Sequence, residues 1–290
     1  GPGDGAPPRP PANGSGNRGA PPPHAPKAPT QKPAEPAPDR PVADGVELSA
    51  WWIAPHFDET KKTVIVTHGI GTSKQDFNAL LPTSMLVKGG YNVLLVDQRD
   101  AGESTCTDGR HSAGQEESSD FAEVAKWLNT EKGIPATSLG MFGVSGGAIA
   151  TSLVPAKTDL VSAFAMEGTI FDFNAAAAQE VEYQGFPAFL WQFAQGAALV
   201  LHGVNLSETS VKDSIVKAGA RPMLILHGDA DQRLKYQSSV DFYDYAKSVG
   251  SNITLETFAG ADHTEGMLSE TNRYASALVG FFNSSFGNAH

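Results

Sequence analysis

From Val46 onward, short apolar runs rich in β-branched residues alternate along the chain with longer amphipathic segments. Runs such as TVIVT over 63–67 and NVLLV over 92–96 lack the regular polar alternation of a half-exposed strand, so they are typical of strands buried on both faces. The alternation therefore predicts an α/β fold with a mostly parallel central sheet flanked by helices. We expect strands over 46–53, 63–67, 92–96, 138–142, 160–166, 223–226 and 253–257.

Apolar residues also recur at helical spacing, which predicts helices with one buried face. One such set is Phe121, Val124, Ala125 and Leu128, and a second, near the C-terminus, is Tyr274, Leu278, Phe281 and Phe282. Residues 168–220 contain no convincing strand, so this segment is predicted to be a helical insertion. In a parallel sheet such insertions leave from the carboxyl ends of the strands, where ligands bind, so we expect a cap over the site.

The first 41 residues differ in composition from the remainder of the chain. They contain 14 of the 20 prolines and no Val, Ile, Leu, Met, Phe, Trp, Tyr or Cys. Such a segment cannot bury enough apolar surface to offset the entropy of ordering it. We therefore predict a disordered, Pro-rich tail or linker over 1–41 and a single domain over 42–290, with the cap at about 168–220.

Charge and cysteine content limit the classes of partner and cofactor. Residues 42–290 carry 16 Lys and Arg against 29 Asp and Glu, a balance that disfavours nucleic-acid binding. Cys106 is alone, so it makes neither an internal disulfide nor a structural zinc site. No spacing of ligand residues suggests a metal, and no cofactor is expected. The oligomeric state is not predicted.

No uninterrupted apolar stretch reaches about 18 residues, so no transmembrane segment is expected. The longest candidate, Phe186 to Val204, is broken by Gln192, Gln195 and other residues. The chain begins at Gly1, and the tail has the composition of an extended spacer. These features favour a secreted or surface-anchored protein over a cytoplasmic one.

The sequence GVSGG over 143–147 follows a predicted strand and precedes a run of small residues typical of a helix start. Glycines two positions on either side of Ser145 allow the sharp strand-to-helix turn of a nucleophile elbow, which exposes the serine hydroxyl above the sheet. This context predicts that Ser145 is a catalytic nucleophile.

A nucleophilic serine needs a base, and the base needs an orienting carboxylate. The chain order in this arrangement is Ser, then acid, then His, and His263 follows the last predicted strand. Asp231 is the favoured acid, because its position lets the loop reach over to the imidazole. Asp229 and Asp262 are the alternatives. His227 is predicted to be structural, packed under the acid loop.

Hydrolysis of an acyl group also needs donors for the developing oxyanion. Gly146, directly after the serine, can supply one backbone N–H. The second is expected from the loop HGIG after the TVIVT strand, where Ile70 is preferred and Gly71 is the alternate. His68 is predicted to brace this loop. We also assign Gly71 and two aromatic residues of the insertion, Phe189 and Trp191, to substrate binding.

Residues 46–282 resemble an α/β-hydrolase. The segments GVELSAWWIAP, VTHGIGTSKQDF, VDQRDAGES, DGRHSAGQEE and FGVSGG are similar to the Bem46-like branch of serine hydrolases, some of which are membrane-tethered. The resemblance implies that Ser145 is the nucleophile, Asp231 the acid and His263 the base, with oxyanion donors at Ile70 and Gly146.

Two residues depart from the pattern of the Bem46-like branch. Asp100 replaces the glycine that is usual in D-x-R-G-x-G. Gly146 replaces a commoner bulky residue after the serine, a change that would widen the pocket floor or loosen the elbow.

These features together predict a metal-free serine hydrolase that cleaves small-molecule carboxylic esters through an acyl-enzyme. A serine peptidase or an acyl-thioesterase would use the same triad. A catalytically silent hydrolase-fold scaffold that recruits partners through its Pro-rich tail is the alternative from another class.

Overall fold

The structure is a computed structural model, and it describes residues 36–41, 45–55, 62–202, 205 and 210–287. Its centre is an eight-stranded sheet with strand order β1-β2-β4-β3-β5-β6-β7-β8. The strands are β1 (Pro36–Pro41), β2 (Glu47–Ile53), β3 (Thr63–Thr67), β4 (Asn92–Val96), β5 (Leu139–Val144), β6 (Ala163–Glu167), β7 (Met223–Gly228) and β8 (Ile253–Phe258). Only the pairs that include β2 are antiparallel, so the prediction of a mostly parallel sheet is confirmed.

Helices cover both faces of the sheet. They are α1 (Phe77–Lys88), α2 (Gln115–Glu131), α3 (Gly146–Leu153), α4 (Phe173–Tyr183), α5 (Leu190–His202), α6 (Val211–Ala218), α7 (Gln237–Ser248), α8 (Gly266–Ser269) and α9 (Thr271–Gly287). Successive strand residues point to opposite faces, so Met141 joins the core layer with α2, α3, α6 and α7, whereas Phe142 joins the layer with α1 and α9. The two helices predicted from apolar spacing are α2 and α9.

The last six residues of the predicted tail, Pro36–Pro41, form β1 at the edge of the sheet. Proline lacks a backbone N–H and is tolerated in edge strands, where one side of the strand needs no partner. The register shifts between Ala37 and Arg40. The end of the predicted tail therefore overlaps a strand, and residues 1–35 lie outside the described part of the chain.

The insertion after β6 is smaller than its predicted bounds. Val211, Ile215 and Ala218 of α6 are buried in the main core, so α6 belongs to the body of the domain. The cap is therefore formed by α4 and α5, and α4 has no buried residue. Within the described residues, no helix is long and apolar enough to cross a membrane.

Candidate active site

Ser145 lies at a sharp turn between β5 and α3, with φ of 53° and ψ of −115°. A side chain at Gly143 would overlap the carbonyl of Gly147, and one at Gly147 would overlap the carbonyl of His68. The glycines thus permit the close approach of strand, helix and neighbouring loop that this backbone conformation requires. The Ser145 N–H donates to the carbonyl of Glu167, 2.8 Å away, which ties the turn to the end of β6.

His263 and Asp231 lie beside the serine, although they are 118 and 86 residues further along the chain. The His263 Nε2 is 3.0 Å from the Ser145 Oγ, and the His263 Nδ1 is 2.8 Å from the Asp231 Oδ2. Because a carboxylate only accepts, Nδ1 carries the proton, which leaves Nε2 of a neutral ring free to accept the serine proton. The predicted nucleophile, base and acid therefore form one hydrogen-bonded chain.

The Asp231 carboxylate is enclosed by donors. The backbone N–H groups of Arg233 and Leu234 donate to Oδ1 at 2.8 and 2.7 Å, and the side chain has no solvent exposure. Burial by itself raises the pKa of the Asp231 carboxyl, but hydrogen bonds from His227, His263 and Leu234 outweigh it and hold the pKa well below its usual range. The carboxylate therefore stays ionised and fixes the tautomer of His263.

His227 contributes more than packing to this arrangement. Its Nε2 lies 3.0 Å from the Asp231 Oδ2 and 2.9 Å from the Leu234 carbonyl, so it carries a proton that both oxygens accept. Its Nδ1 lies 2.6 Å from the hydroxyl of Ser239. His227 thus holds the loop that carries Asp231 in place. Its position four residues before Asp231 is compatible with this role, but the sequence alone did not predict the hydrogen bond to the acid.

The two alternative acids have other partners. Asp229 accepts from the backbone N–H of Gly260 at 2.6 Å. Asp262 accepts from the N–H groups of Gln232 and His263 at 2.7 Å each. Both carboxylates therefore brace the loops after β7 and β8, while Asp231 alone of the three faces the His263 ring.

Ile70 and Gly146 both line the cavity beside Ser145, and the Ile70 nitrogen would lie 2.9 Å from a Cβ added to Gly146. Their role as oxyanion donors stays a prediction. A side chain at Gly146 would overlap the Ile70 Cγ1. The space left by the missing side chain is thus filled by Ile70, so Gly146 does not widen the pocket floor.

His68 holds the Ile70 loop in place. Its Nδ1 donates to the Gly69 carbonyl at 2.8 Å, and its Nε2 accepts from the backbone N–H of Gln98 at 3.1 Å. Burial lowers the pKa of the His68 ring, so the ring is neutral and can accept and donate at once. This arrangement agrees with the predicted bracing role.

An apolar cavity of about 220 Å³ opens beside Ser145. Its walls come from Ile70, Gly146, Ile149, Ile170, Phe173, Ala176, Ala177, Glu180, Arg233 and Leu234. The predicted substrate-binding residues Phe189 and Trp191 do not line it. Phe189 is 61% exposed on the cap, and Trp191 reaches the cavity only through its contact with the Phe173 ring, 5.7 Å between centroids. The aromatic spacing of a cap helix did not reveal which face turns toward the site.

One ion pair joins the cap to the acid loop across this cavity. The Arg233 guanidinium contacts both carboxylate oxygens of Glu180, at 2.9 and 3.0 Å. The Gln179 side chain also donates to the Arg233 carbonyl at 2.9 Å. Arg233 therefore holds α4 with its side chain and Asp231 with its backbone, and sequence analysis gave no signal for it.

A second cavity, of about 340 Å³, lies on the other side of Ile70. It includes the third predicted substrate-binding residue, Gly71, together with His68, Gln98, Arg110 and other polar residues. Asp100 forms part of its wall in a left-handed conformation with φ of 60°. Its carboxylate accepts from the backbone N–H groups of residues 107–109, so the departure from glycine orders this loop.

The chain matches the model of the prolyl oligopeptidase family of peptidases over residues 81–289. Among curated proteins, none matches the sequence. Similar solved structures include the Pyrococcus furiosus esterase Pf2001, with 23% identity, a TM-score of 0.71 and coverage of 87% of this chain and 93% of that one.

Est1E from Butyrivibrio proteoclasticus, solved with ferulic acid bound, is 18% identical with a TM-score of 0.65, covering 86% of this chain and 99% of its own. A bacterial membrane phospholipase A is also 18% identical, with a TM-score of 0.60 and coverage of 88% and 87%. At these identities the neighbours establish the α/β-hydrolase fold alone. Since the family model spans most of the sequence, the chain belongs to the prolyl oligopeptidase family.

Proposed function

We propose that this protein is a serine hydrolase, of the Bem46-like branch, that cleaves carboxylic esters through an acyl-enzyme on Ser145. The observation that carries the proposal is the hydrogen-bonded chain from the Ser145 Oγ through His263 to the buried Asp231 carboxylate. A serine hydroxyl is a weak nucleophile without such a base. The fully enclosed acid gives His263 a fixed tautomer and stabilises the imidazolium that forms during attack.

The steps follow from the positions of these groups. The Ser145 Oγ attacks the acyl carbonyl while the His263 Nε2 takes its proton. The carbonyl oxygen becomes an oxyanion, which the N–H groups of Ile70 and Gly146 stabilise. His263 then returns the proton to the leaving alcohol, the acyl-enzyme remains, and a water activated by the same ring releases the acid.

The cavity beside the serine favours a small acyl group. Its volume of about 220 Å³ is below the range of about 300 to 1,000 Å³ of typical ligand pockets. The lining from Ile149, Ile170 and Leu234 is apolar, which suits a short aliphatic or single-ring acyl group better than a charged one. Ferulic acid bound in Est1E is a compound of this size class.

A serine peptidase is the second candidate, because the matching family is one of peptidases. The polar cavity beyond Ile70, with Gln98, Arg99 and Arg110 in its walls, offers hydrogen-bonding groups that a peptide could use. An acyl-thioesterase would need the same triad and a long carrier next to the cap. Export or surface anchoring remains a prediction.

A substrate panel separates these activities. We expect turnover of short p-nitrophenyl esters that falls with acyl length, little turnover of acyl-CoA thioesters or aminoacyl anilides, and none by Ser145→Ala. Turnover confined to anilides would reject the esterase assignment. A fluorophosphonate probe tests the nucleophile separately. Labelling at Ser145 that disappears in His263→Ala indicates that the base activates the serine. A folded wild type that is not labelled favours a catalytically silent scaffold.

A further inference from the structure

The cap carries an exposed apolar surface that the site does not use. Its members, which we call the cap surface, are Phe186, Phe189, Phe193, Leu199 and Val200, with exposed fractions of 59, 61, 70, 50 and 82%. The first two precede α5 and the others lie on it. A helix with exposed apolar residues on several sides is normally covered by another surface.

The sequence around this surface has no charge. Residues 184–207 contain no Asp, Glu, Lys or Arg, although 18% of the whole chain is charged. Soluble surfaces normally mix charges of both signs. Because an isolated charge is costly to bring into an apolar phase, a charge-free stretch of exposed aromatic and aliphatic residues suits a lipid surface.

Two other occupants fit less well. The tail over 1–41 has proline and alanine as its main apolar residues and no larger apolar side chain, so it brings less apolar area per residue to the cap surface than lipid chains do. A second copy would bring together two chains that each carry a net charge of −11, and like charges oppose association. The same negative charge disfavours an anionic membrane, whereas a zwitterionic or neutral lipid surface has no net charge to repel it.

The cap surface is also connected to the active site. The Phe189 and Phe193 rings contact each other on the outer side of the cap, with centroids 6.3 Å apart. Trp191, between them in sequence, contacts the Phe173 ring, which lines the cavity that contains Ser145. The same short segment of the cap therefore supplies aromatic rings to the exposed surface and a ring that contacts the cavity wall.

We propose that the cap surface docks on an uncharged, zwitterionic lipid bilayer. Docking places the mouth of the acyl cavity next to the lipid, so that amphiphilic esters can enter from it. This second step rests on the proposed esterase function, whereas the docking itself does not.

Flotation with phosphatidylcholine vesicles tests the docking directly. We expect the wild type and Ser145→Ala to float with the vesicles, and higher ionic strength not to release them, because no charge pairs hold the contact. The double variant Phe193→Asp/Val200→Asp should lower the bound fraction at least about tenfold, since it replaces two buried apolar contacts with charges. Val200→Asp alone should give a smaller decrease.

The control is Val216→Asp/Val249→Asp, which adds the same charge at two exposed apolar positions outside the cap and should float like the wild type. Unchanged thermal unfolding and unchanged turnover of a soluble short ester show that the cap variant is folded and active. No ester turnover by a wild type that floats would reject the esterase function but not the docking.

Three results would overturn the docking. The first is a wild type that does not float, and the second is a cap variant that floats as well as the wild type. The third is a wild type that binds no vesicles and is a dimer by light scattering, together with a cap variant that is a monomer. The last result would assign the cap surface to an interface between two copies.

Discussion

Replacing Glu167 with Gln should make the protein more stable at neutral and alkaline pH. Glu167 ends β6, beside the turn of Ser145, and is 1% exposed. Within the described residues neither carboxyl oxygen has a hydrogen-bond partner, and the nearby Tyr274 hydroxyl is likewise buried without one. Burial raises the pKa of Glu167 to about 8; the hydroxyl of Tyr274, a potential donor to the carboxylate, opposes this rise, and the charge of Asp231 adds to it.

The size of the effect follows from linkage. A carboxyl with an ordinary pKa of 4.5 in the unfolded chain and about 8 in the fold favours the fold most when protonated. The contribution of Glu167 to the free energy of unfolding is therefore greatest below pH 4.5, falls by about 1.4 kcal/mol per pH unit above it, and levels off above pH 8. The total loss is about 5 kcal/mol. Glutamine keeps the shape of the protonated carboxyl but has no proton to lose, so Glu167→Gln lacks this loss.

Urea denaturation at a series of pH values measures the difference. We expect the wild type and Glu167→Gln to be close in stability below pH 4.5 and to diverge progressively up to pH 8. Glu131→Gln, at an exposed position on α2, is the matched control and should follow the wild type. Parallel curves for the wild type and Glu167→Gln would refute the reasoning, because they would mean that Glu167 titrates alike in the folded and unfolded chains.

Three further predictions concern the site and its surroundings. Asp231→Asn should lower kcat for p-nitrophenyl esters by about 10⁴, whereas Asp229→Asn should leave it nearly unchanged; steady-state kinetics showing equal losses would contradict the assignment of the acid. Asp100→Gly should speed tryptic cleavage of the loop over 101–110 with little change in Tm, because glycine loses the hydrogen bonds to 107–109 but relieves the positive φ; unchanged cleavage would show that the carboxylate does not order the loop. Gly146→Ala should displace Ile70 and so lower kcat clearly while changing Tm little, and the double variant Gly146→Ala/Ile70→Ala should recover part of the lost kcat. If the effects of the two substitutions on kcat simply add, the overlap does not account for the loss.

The sequence predicted those segments of the fold whose structure is determined by their own residues rather than by contacts with distant segments. The strands over 63–67 and 92–96 have the predicted bounds, because apolar β-branched runs can be buried on both faces only inside a sheet. The position of the nucleophile was equally local, since the turn depends on Gly143 and Gly147. His263 and Asp231 could be placed because they follow β8 and β7, which are paired in parallel and end at the same edge.

The parts that sequence did not predict depend on contacts between distant segments. The pairing of β1 with β2 supplies backbone hydrogen bonds to a segment whose composition alone indicates a tail. In α6 the apolar stripe was present, but only its burial against the body shows that it lies outside the cap. The direction of Phe189 depends on how α5 is set against α4, which apolar spacing does not encode.

The proposed triad and the cavity beside it are thus built from different parts of the chain. The three hydrogen-bonded residues are anchored to strand ends whose register is fixed by the backbone ladder, so their geometry does not depend on the cap. The acyl cavity, by contrast, is closed by Phe173 and Glu180 of α4, and α4 has no buried residue of its own. Its main polar link to the catalytic loop is Arg233, which binds Glu180 at a partly exposed ion pair, and such pairs typically contribute about 1 kcal/mol or less. Apolar contacts of Phe173 and Ala176 with Ile149, Ile170 and Leu234 add to this link. The position of the cap therefore depends on a few side chains, whereas the geometry of Ser145, His263 and Asp231 depends on the sheet.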